Sequence, residues 1–422
     1  MRNHTLLAVI LTLVAPALHA QRDYEPDLKG YVTQVSSPTV FDVNGIHIRI
    51  DSNTRFYAKA KTYTGIAAAD VKLYIGQPVQ VYGKSHNKEH AISATQINLV
   101  QRKPSEMQGS GVVDTVLGSA NSGEAMLRAD GYVIRIPANC ALTFTPPLTS
   151  ATAYHPNVWI IFHGLQAQDG VITASKLSFG ENQNDKGEER LREKTEHDPA
   201  SVDPTAQQST TSVFFGGLDP KQVPPFKDDI MQARVLAIGS KLVPKYQRDL
   251  PQEDPTKVDF RFQLVDEPKW VGVLAWPNGI ILVPHQTVER LQNDSQLAEV
   301  LAFSISTVIE KQSRYFLPAD HKLLPLQLAG LGVAPFLPVL PSIGMAALAM
   351  PSFGNNDVLR HVVEKGGRVS LDLMHDAGYD IHEAPRAWWL LADVKSKGSD
   401  KTPLPYLAEY LYKFLGETWR AQ

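Results

Sequence analysis

The stretch Leu297–Val308, which reads LAEVLAFSISTV, decides the fold of the C-terminal half of this chain. Apolar residues fill most of its positions. This pattern predicts an apolar helix, which we expect to begin near Ser295. Phe303, Ser304 and Thr307 stand at positions i, i+1 and i+4, so we expect these three side chains on one face of the helix.

The stretch resembles the active-site helix of gluzincin zinc metallopeptidases of the HtpX, BepA and CAAX-prenyl-endopeptidase type. In that family the helix runs L-A-x-V-L-A-H-E-I-x-H-V, in which two His bind zinc and the Glu between them is the general base. Here Phe303, Ser304 and Thr307 stand where the family has the two His and the Glu. The apolar residues around these positions are kept. The resemblance implies the family's fold with degenerate catalytic positions. The alternative is an ordinary apolar core helix.

The order of the neighbouring elements extends the resemblance over roughly residues 228–392. Residues 262–266 and 275–283 are similar to the family's strand pair, and residues 287–294 are similar to the helix and turn before the active-site helix. Downstream, MHDAGYD at 374–380 is similar to the family's M-x-x-A-G-Y-D. The resemblance thus implies an α+β, mainly helical, gluzincin-like metallopeptidase domain with a small antiparallel sheet.

The third zinc ligand of the family is a Glu, and its spacing from Gly378 places that position on Val363. Glu364 is one residue out of register, which makes it a weak candidate for a metal ligand. A catalytic zinc needs about three protein ligands and an open position for water. Phe303 cannot ligate a metal, and Ser304 is not basic enough to take a proton from water near neutral pH. We therefore expect zinc to be lost and no catalytic residue to remain.

The leading functional interpretation is a catalytically inactive metallopeptidase homologue that binds polypeptide or scaffolds an envelope assembly. Members of the family bind extended peptide beside an edge strand, so the resemblance implies a binding groove. The groove candidates are Trp276, Asn278, Gly279 and Ile281. Two alternatives stay open. One is an active hydrolase with a rearranged metal site that includes Glu364, and the other is a structural envelope protein that works through its N-terminal modules.

An internal repeat occupies the N-terminal half. Gly30–Val35 corresponds to Gly111–Val116, and His47–Ile50 corresponds to Val133–Ile136. Each copy alternates apolar and polar residues over short stretches and has Asn-Gly or Asp-Gly at turns, which predicts hairpin-rich β structure. The length of each copy favours two small all-β barrels, OB-like in size. The copies also resemble a secreted bacterial module of unknown function that often occurs in tandem.

The repeat divides the N-terminal half into two modules, residues 21–103 and 104–180. We expect Arg49 and Arg135 to occupy equivalent strand positions in the two barrels. Independent cores are also expected, because each copy has its own full set of alternating strands. The role of the two barrels is not fixed by their fold.

Charge gives no indication of a nucleic-acid partner. The chain has 41 Lys and Arg against 44 Asp and Glu, a formal net charge of −3. Tyr57, Lys59, Lys61 and Tyr63 are scattered and indicate a solvated loop rather than an aromatic and basic binding face. We therefore expect a polypeptide or envelope-protein partner and no nucleic acid.

Residues 1–20 have the features of a secretory signal peptide. Arg2 precedes the apolar run Leu6–Val14, and small residues lead up to Ala20. We expect cleavage between Ala20 and Gln21, and a secreted protein that resides in the periplasm. The chain contains a single cysteine, so no internal disulfide can form.

Residues 181–224 are predicted to form a disordered linker between the halves. They are rich in Pro, Ser, Thr and Gln and contain few apolar residues, so they cannot bury enough surface to fold alone. The charged run Gly187–Lys194 is expected to form a short solvated helix. The degenerate metallopeptidase-like domain then covers residues 225–422.

A long stretch without charged residues lies within the C-terminal domain. Its segment 323–350 is long enough to span a bilayer, but four prolines divide it. We favour a buried or surface-docking helical hairpin over a transmembrane span. If the segment is exposed, we expect it to contact a membrane surface or a partner.

Overall fold

A computed structural model describes residues 25–37, 39–58, 72–100, 103–118, 125–202, 220–267, 272–312, 357–392 and 405–419 of the chain. The predicted signal peptide, residues 1–20, and the predicted hairpin, residues 323–350, lie outside the described residues. Within the described ranges, no helix is both long enough and apolar enough to cross a membrane.

The first repeat forms a small closed β-barrel. Its strands are β1 (Leu28–Ser37), β2 (Val40–Val43), β3 (Ile46–Arg49), β4 (Arg55–Ala58), β5 (Pro78–His86) and β6 (Ala91–Leu99). The ring closes in the order β1-β2-β3-β6-β5, with β3 parallel to β6, and β4 pairs with β6 beside the ring. Alternate side chains such as Val32, Phe41 and Ile97 fill the interior.

The second repeat forms the same ring. Its strands are β7 (Ser105–Gly118), β8 (Ala125–Ala129), β9 (Tyr132–Ile136), β10 (Ala141–Phe144), β11 (Val158–Gln166) and β12 (Ile172–Glu181). The order is β7-β8-β9-β12-β11, with β9 parallel to β12, and β10 pairs in parallel with β12 beside the ring. The prediction of two small closed barrels is therefore confirmed, and both are consistent with an OB-like barrel.

Strand register confirms the predicted equivalence of Arg49 and Arg135. Arg49 lies opposite Ser93 where β3 pairs with β6. Arg135 lies opposite Thr173 where β9 pairs with β12. Ser93 and Thr173 are themselves equivalent in the repeat, so the two barrels share register as well as strand order.

The same turn joins the second and third strands of each barrel. Asn44 and Gly45 have φ values of 50° and 77°, and Asp130 and Gly131 have φ values of 55° and 75°. Positive φ at both central residues is the type I′ hairpin geometry that Asn-Gly and Asp-Gly favour. Local turn chemistry therefore sets this hairpin in both copies.

The first barrel has its own core, whereas the second shares one. Phe41 and Phe56 belong to a separate cluster inside the first barrel. The interior of the second barrel is continuous with the core of the helical domain. The ring of Tyr132 lies 6.3 Å from that of Phe162 in the barrel and 5.4 Å from that of Phe414 in the helical domain. The prediction of an independent core is therefore wrong for the second barrel, because Tyr132 packs against a helix of the C-terminal domain.

The C-terminal region is mainly helical. Its elements are α1 (Lys186–Thr195), α2 (Asp229–Leu242), α3 (Lys245–Asp249), β13 (Arg261–Val265), β14 (Leu274–Ala275), β15 (Ile280–Pro284), α4 (His285–Arg290), α5 (Asp294–Ile309), α6 (Asp357–Asp376), α7 (Ala384–Leu391) and α8 (Tyr406–Thr418). Helix α5 packs against α2, α6 and α7, and α8 packs against α6 and α7. Helix α5 is therefore central to the domain.

The small sheet is mixed rather than antiparallel. Its central strand β15 is parallel to β13 and antiparallel to β14. A tight turn at Gly279, with φ of 88° and its N–H donating to the carbonyl of Trp276, reverses the chain between β14 and β15. Strands β13 and β14 lie on opposite sides of β15. The predicted antiparallel pairing is therefore wrong for β13.

The predicted linker is ordered at α1. Asp185 caps this helix, because its side chain accepts a hydrogen bond from the N–H of Glu188. Glu188 and Leu191 are buried, and Arg192 pairs with Glu188 at 3.1 Å. The prediction of disorder is therefore wrong for residues 186–195. The helix is also not solvated on all sides, since Leu191 is buried and the buried Glu188 is paired with Arg192. Residues 203–219 lie outside the described residues.

Candidate functional site

Helix α5 carries the positions that the sequence singled out. Its first turn is capped by Asn293, whose side chain accepts a hydrogen bond from the N–H of Gln296 at 2.9 Å. The helix begins at Asp294, which confirms the predicted start near Ser295. Every residue from Gln296 to Ser306 is buried, as expected for a helix enclosed on all sides.

Phe303 fills the space between α5 and α6. Its side chain is 1% exposed, and its ring lies 5.0 Å from that of Trp388 in an edge-to-face arrangement. A Cβ atom built on Gly366 would lie 2.8 Å from Phe303 Cε2, so the ring rests directly on the α6 backbone. Phe303 is therefore turned toward α6, and only a glycine at position 366 leaves room for it.

The hydroxyl groups of the other two positions are bonded within α5. Ser304 donates to the carbonyl of Val300 at 2.9 Å, and Thr307 donates to the carbonyl of Ser304 at 2.7 Å. A hydroxyl that donates to a carbonyl one turn back is held along the helix. Ser306, which the sequence did not single out, instead reaches α6 and donates to the carbonyl of Gly366 at 3.0 Å.

The weak metal candidate Glu364 is directed to a different helix. Its carboxylate accepts a hydrogen bond from the hydroxyl of Tyr406 on α8. Burial, together with the hydrogen bond to Glu364, raises the pKa of Tyr406. The neighbouring Val363 is fully buried in the apolar core. Glu364 is thus bonded to α8, and Val363 offers no donor atom for a metal.

The residues at the expected zinc position do not fit zinc. Phe303 offers no donor atom, the hydroxyls of Ser304 and Thr307 are held by the helix, and Glu364 is held by Tyr406. Across the described ranges, no group of three or more His, Cys, Asp or Glu side chains could hold a metal ion. A structural zinc takes four protein ligands and a catalytic zinc takes three.

A buried carboxyl group lies one turn before Phe303. Glu299 is fully buried and accepts hydrogen bonds from the indole N–H of Trp388 at 2.7 Å and from the Ser370 hydroxyl at 2.9 Å. Burial raises the pKa of Glu299 to about 8, although both hydrogen bonds oppose the shift. Sequence reasoning missed this residue, because its position in the family pattern is a variable one. Glu299 joins α5, α6 and α7 rather than facing a cleft.

The predicted groove residues do not line an open groove. Trp276, Gly279 and Ile281 are buried. Ile281 lies on the central strand, where it already faces Phe262 on one side and Ala275 on the other. Both sides of β15 are already paired, so β15 itself has no free edge for a peptide, and β14 is an edge strand of the sheet.

Asn278, the fourth groove candidate, is hydrogen-bonded to the C-terminal end of α1. The side-chain amide of Asn278 donates to the Glu196 carboxylate at 2.9 Å, just beyond the end of that helix. The side-chain oxygen Oδ1 of Asn278 accepts a hydrogen bond from the N–H of Ile280 at 3.3 Å. Asn278 thus ties the turn before β15 to the segment that was predicted to be a disordered linker.

A cluster of charges joins the second barrel to α6. Arg128 on β8 donates to Asp114 at 2.8 Å and to Asp376 at 3.0 Å, and its Nε lies 3.6 Å from Asp372. Burial raises the pKa of Asp114 to about 6, against the opposing effect of Arg128. Burial also raises the pKa of Asp372 well above its usual range. Three carboxylates surround one guanidinium, and the negative charges of Asp114 and Asp376 add to the upward shift in the pKa of Asp372.

One further ion pair and a hydrogen bond from a buried lysine cross the same interface. Lys365 on α6 is fully buried and lies 2.7 Å from Glu310 at the end of α5, and it donates to the carbonyl of Ser110 on β7 at 2.6 Å. Arg368 on α6 lies 2.5 Å from Asp130 in the hairpin turn between β8 and β9. Because buried charges are costly unless paired, these contacts fix one docking geometry of barrel and helices.

Glycines allow the barrels to approach α8 closely. A Cβ on Gly76 of the first barrel would lie 2.3 Å from the carbonyl oxygen of Tyr412 and 2.4 Å from the N atom of Gly416. A Cβ on Gly170 of the second barrel would lie 2.6 Å from the Cα of Thr418. Both barrels therefore contact the C-terminal helix through backbone that carries no side chain.

Comparison with known proteins matches one part of the chain. The sequence profile of a domain of unknown function (DUF5666) matches residues 29–98. This range coincides with the first barrel. No curated protein matches the chain.

Proposed function

We propose that this chain is a catalytically silent homologue of gluzincin metallopeptidases that binds polypeptide as a scaffold protein of the cell envelope. The proposal combines the order of elements over residues 228–392 with the chemistry of α5. Its envelope location rests on the signal-peptide features of residues 1–20.

The packing of Phe303 is the observation that best supports the proposed lack of peptidase activity. An apolar ring takes the place of the first metal ligand and rests on Gly366 of α6. Catalysis by zinc requires ligands and an open coordination position, and a ring packed against the backbone supplies neither. The carboxylate of Glu364 is engaged by Tyr406, so the alternative of a rearranged metal site gains no support from it.

The scaffold role is supported by the way the modules are joined. The buried ion pair between Arg368 and Asp130, and the hydrogen bond from Lys365 to the carbonyl of Ser110, bind the second barrel to the helices. The backbone contact of Gly76 with Gly416 adds the first barrel. Modules joined by such contacts suit a protein that presents a surface rather than one that closes around a substrate.

The test uses the purified protein from residue 21 onward with unfolded, carboxymethylated casein. We expect casein to bind and to remain intact over prolonged incubation, with and without added zinc. The binding is measured by biolayer interferometry and the cleavage by gel electrophoresis. Cleavage of casein that a chelator abolishes would contradict the proposed lack of peptidase activity. Absence of casein binding would contradict the proposed polypeptide-binding role. An active gluzincin peptidase serves as the positive control for cleavage.

A further inference from the structure

Strand β10 is an edge strand of the second barrel. It pairs in parallel with β12, and among the described strands it has no second partner. Ala141, Leu142 and Thr143 are exposed. In the part of the chain that the structure describes, the backbone of residues 141–144 makes no hydrogen bond beyond this pairing. Within the described ranges, one side of β10 therefore presents N–H and C=O groups that make no backbone hydrogen bond.

This edge is short, with four residues, but it lacks the other features that usually block strand addition. Besides keeping edge strands short, proteins protect them with Lys, Pro, inward charges or bulges. Residues 141–144 read Ala-Leu-Thr-Phe, with no charge and no proline. Their pairing with residues 176–179 is regular, without a bulge. The strand is thus straight, uncharged and open along its outer side.

The side chains of β10 define what an added strand would meet. Leu142 lies opposite Leu177, and Phe144 lies opposite Phe179, with stacked rings 5.3 Å apart. Leu142 is 38% exposed, although Leu177 beside it is fully buried. The face that these residues share is apolar, whereas Ala141 and Thr143 lie on the opposite face. An added strand would therefore place apolar side chains beside Leu142 and polar side chains beside Thr143.

We infer that the free edge of β10 is the polypeptide-binding site, and that it takes a short extended segment of a partner protein by β-strand addition. The inference rests on the proposed polypeptide-binding function and gives it a site. A free row of main-chain donors and acceptors is complementary to another extended chain. A second copy fits less well, because four residues span only about 13 Å. An edge of that length is too short for the roughly 800 Å² per partner that a stable dimer buries.

The probe is a fluorescein-labelled heptapeptide with alternating threonine and valine and a lysine at each end, titrated with the full mature protein. Leu142→Lys should weaken its binding at least about tenfold by anisotropy, because the apolar contact is replaced by an edge charge. The matched control is Leu165→Lys, which introduces the same change at a leucine that is 50% exposed on β11. We expect Leu165→Lys to bind like the wild type.

Two N-methylated versions of the peptide test the site without altering the protein. Methyl groups on alternate residues block hydrogen bonding along one side of an extended peptide only. One version, with methyl groups facing β10, should lose binding, and the version shifted by one residue should keep it. Equal affinity of both versions for the wild type would contradict strand addition.

The outcomes separate the site from the function. If the Leu142→Lys protein binds the peptide and casein as well as the wild type, the β10 site is wrong and the polypeptide-binding role stands. If the wild type binds neither peptide nor casein, both the β10 site and the polypeptide-binding function are wrong. A dimeric wild type that becomes monomeric with Leu142→Lys would also overturn the inference, because the edge would then hold a second copy.

Discussion

Arg368 on α6 and Asp130 in the β8–β9 turn form a buried ion pair, with Nη2 of the guanidinium 2.5 Å from Oδ1 of the carboxylate. The same guanidinium donates through Nε to the Asp130 carbonyl at 3.0 Å and through Nη1 to the Tyr410 hydroxyl at 2.8 Å. The two partners are 238 residues apart in the sequence. A single side chain thus ties the hairpin of the second barrel to the helical domain.

Arg368→Met should lower the free energy of unfolding by about 3–5 kcal/mol, because it leaves the Asp130 carboxylate buried without its cation. Urea unfolding followed by circular dichroism measures the loss. The matched control is Arg234→Met, since Arg234 pairs with Asp294 and the two side chains are 35% and 61% exposed. This surface pair should contribute less than about 1 kcal/mol. Equal losses in both variants would show that the Arg368 pair does not hold the interface.

Phe303→Ala should destabilise the protein by about 3–5 kcal/mol, because the buried ring leaves a cavity between α5 and α6. Thermal and urea unfolding both report the change. Ile230→Ala removes an apolar side chain that is 86% exposed, and it should change stability by less than about 0.5 kcal/mol. A loss below about 1 kcal/mol for Phe303→Ala would contradict the packing described for α5.

Glu299 should make stability depend on pH. Burial raises its pKa from 4.5 in the unfolded chain to about 8 in the folded protein. A raised pKa means that the contribution is fully present below pH 4.5 and is lost as the pH rises through 8. Glu299→Gln should therefore flatten the fall in unfolding free energy between about pH 5 and pH 9, as measured by urea titrations across that range. The same slope in variant and wild type would show that Glu299 is not the titrating group.

Gly76→Ala should disturb the contact between the first barrel and α8. Gly76 has φ of 83°, and a Cβ there would meet the Tyr412 carbonyl oxygen at 2.3 Å. Gly378 is the matched control, because it has φ of 71° and a Cβ added to it would meet no atom within 4 Å. Gly378→Ala should cost only the conformational penalty of about 1–2 kcal/mol. Gly76→Ala should cost clearly more and increase cleavage of the first barrel in limited proteolysis, whereas equal costs would contradict close docking.

The two barrels could be predicted from the sequence because their determinants are local. Alternation of apolar residues set the strands, and Asn44-Gly45 and Asp130-Gly131 set the hairpins through their positive φ. The start of α5 was also predictable, since Asn293 is a favourable cap before an apolar run. Each of these signals lies within a few residues of the element that it specifies.

The contacts that join the modules could not be predicted in the same way. Lys365, Arg368 and Asp372 lie on a helix whose charged positions are indistinguishable in sequence from a solvated face. Their burial depends on partners such as Ser110 and Arg128, which are more than 200 residues away. The pairing of β15 on both sides could not be predicted for a related reason, because it is a tertiary property.

The central claim, a metallopeptidase-like fold without its metal chemistry, is tested most directly by zinc content. Elemental analysis of the purified wild-type protein should find no stoichiometric zinc after dialysis against a zinc-containing buffer, because Phe303, Ser304 and Thr307 supply no ligand pair. The triple variant Phe303→His, Ser304→Glu, Thr307→His should retain at least weakly bound zinc, since i and i+4 histidines on α5 present two ligands on one face. One equivalent of tightly bound zinc in the wild type would contradict the account.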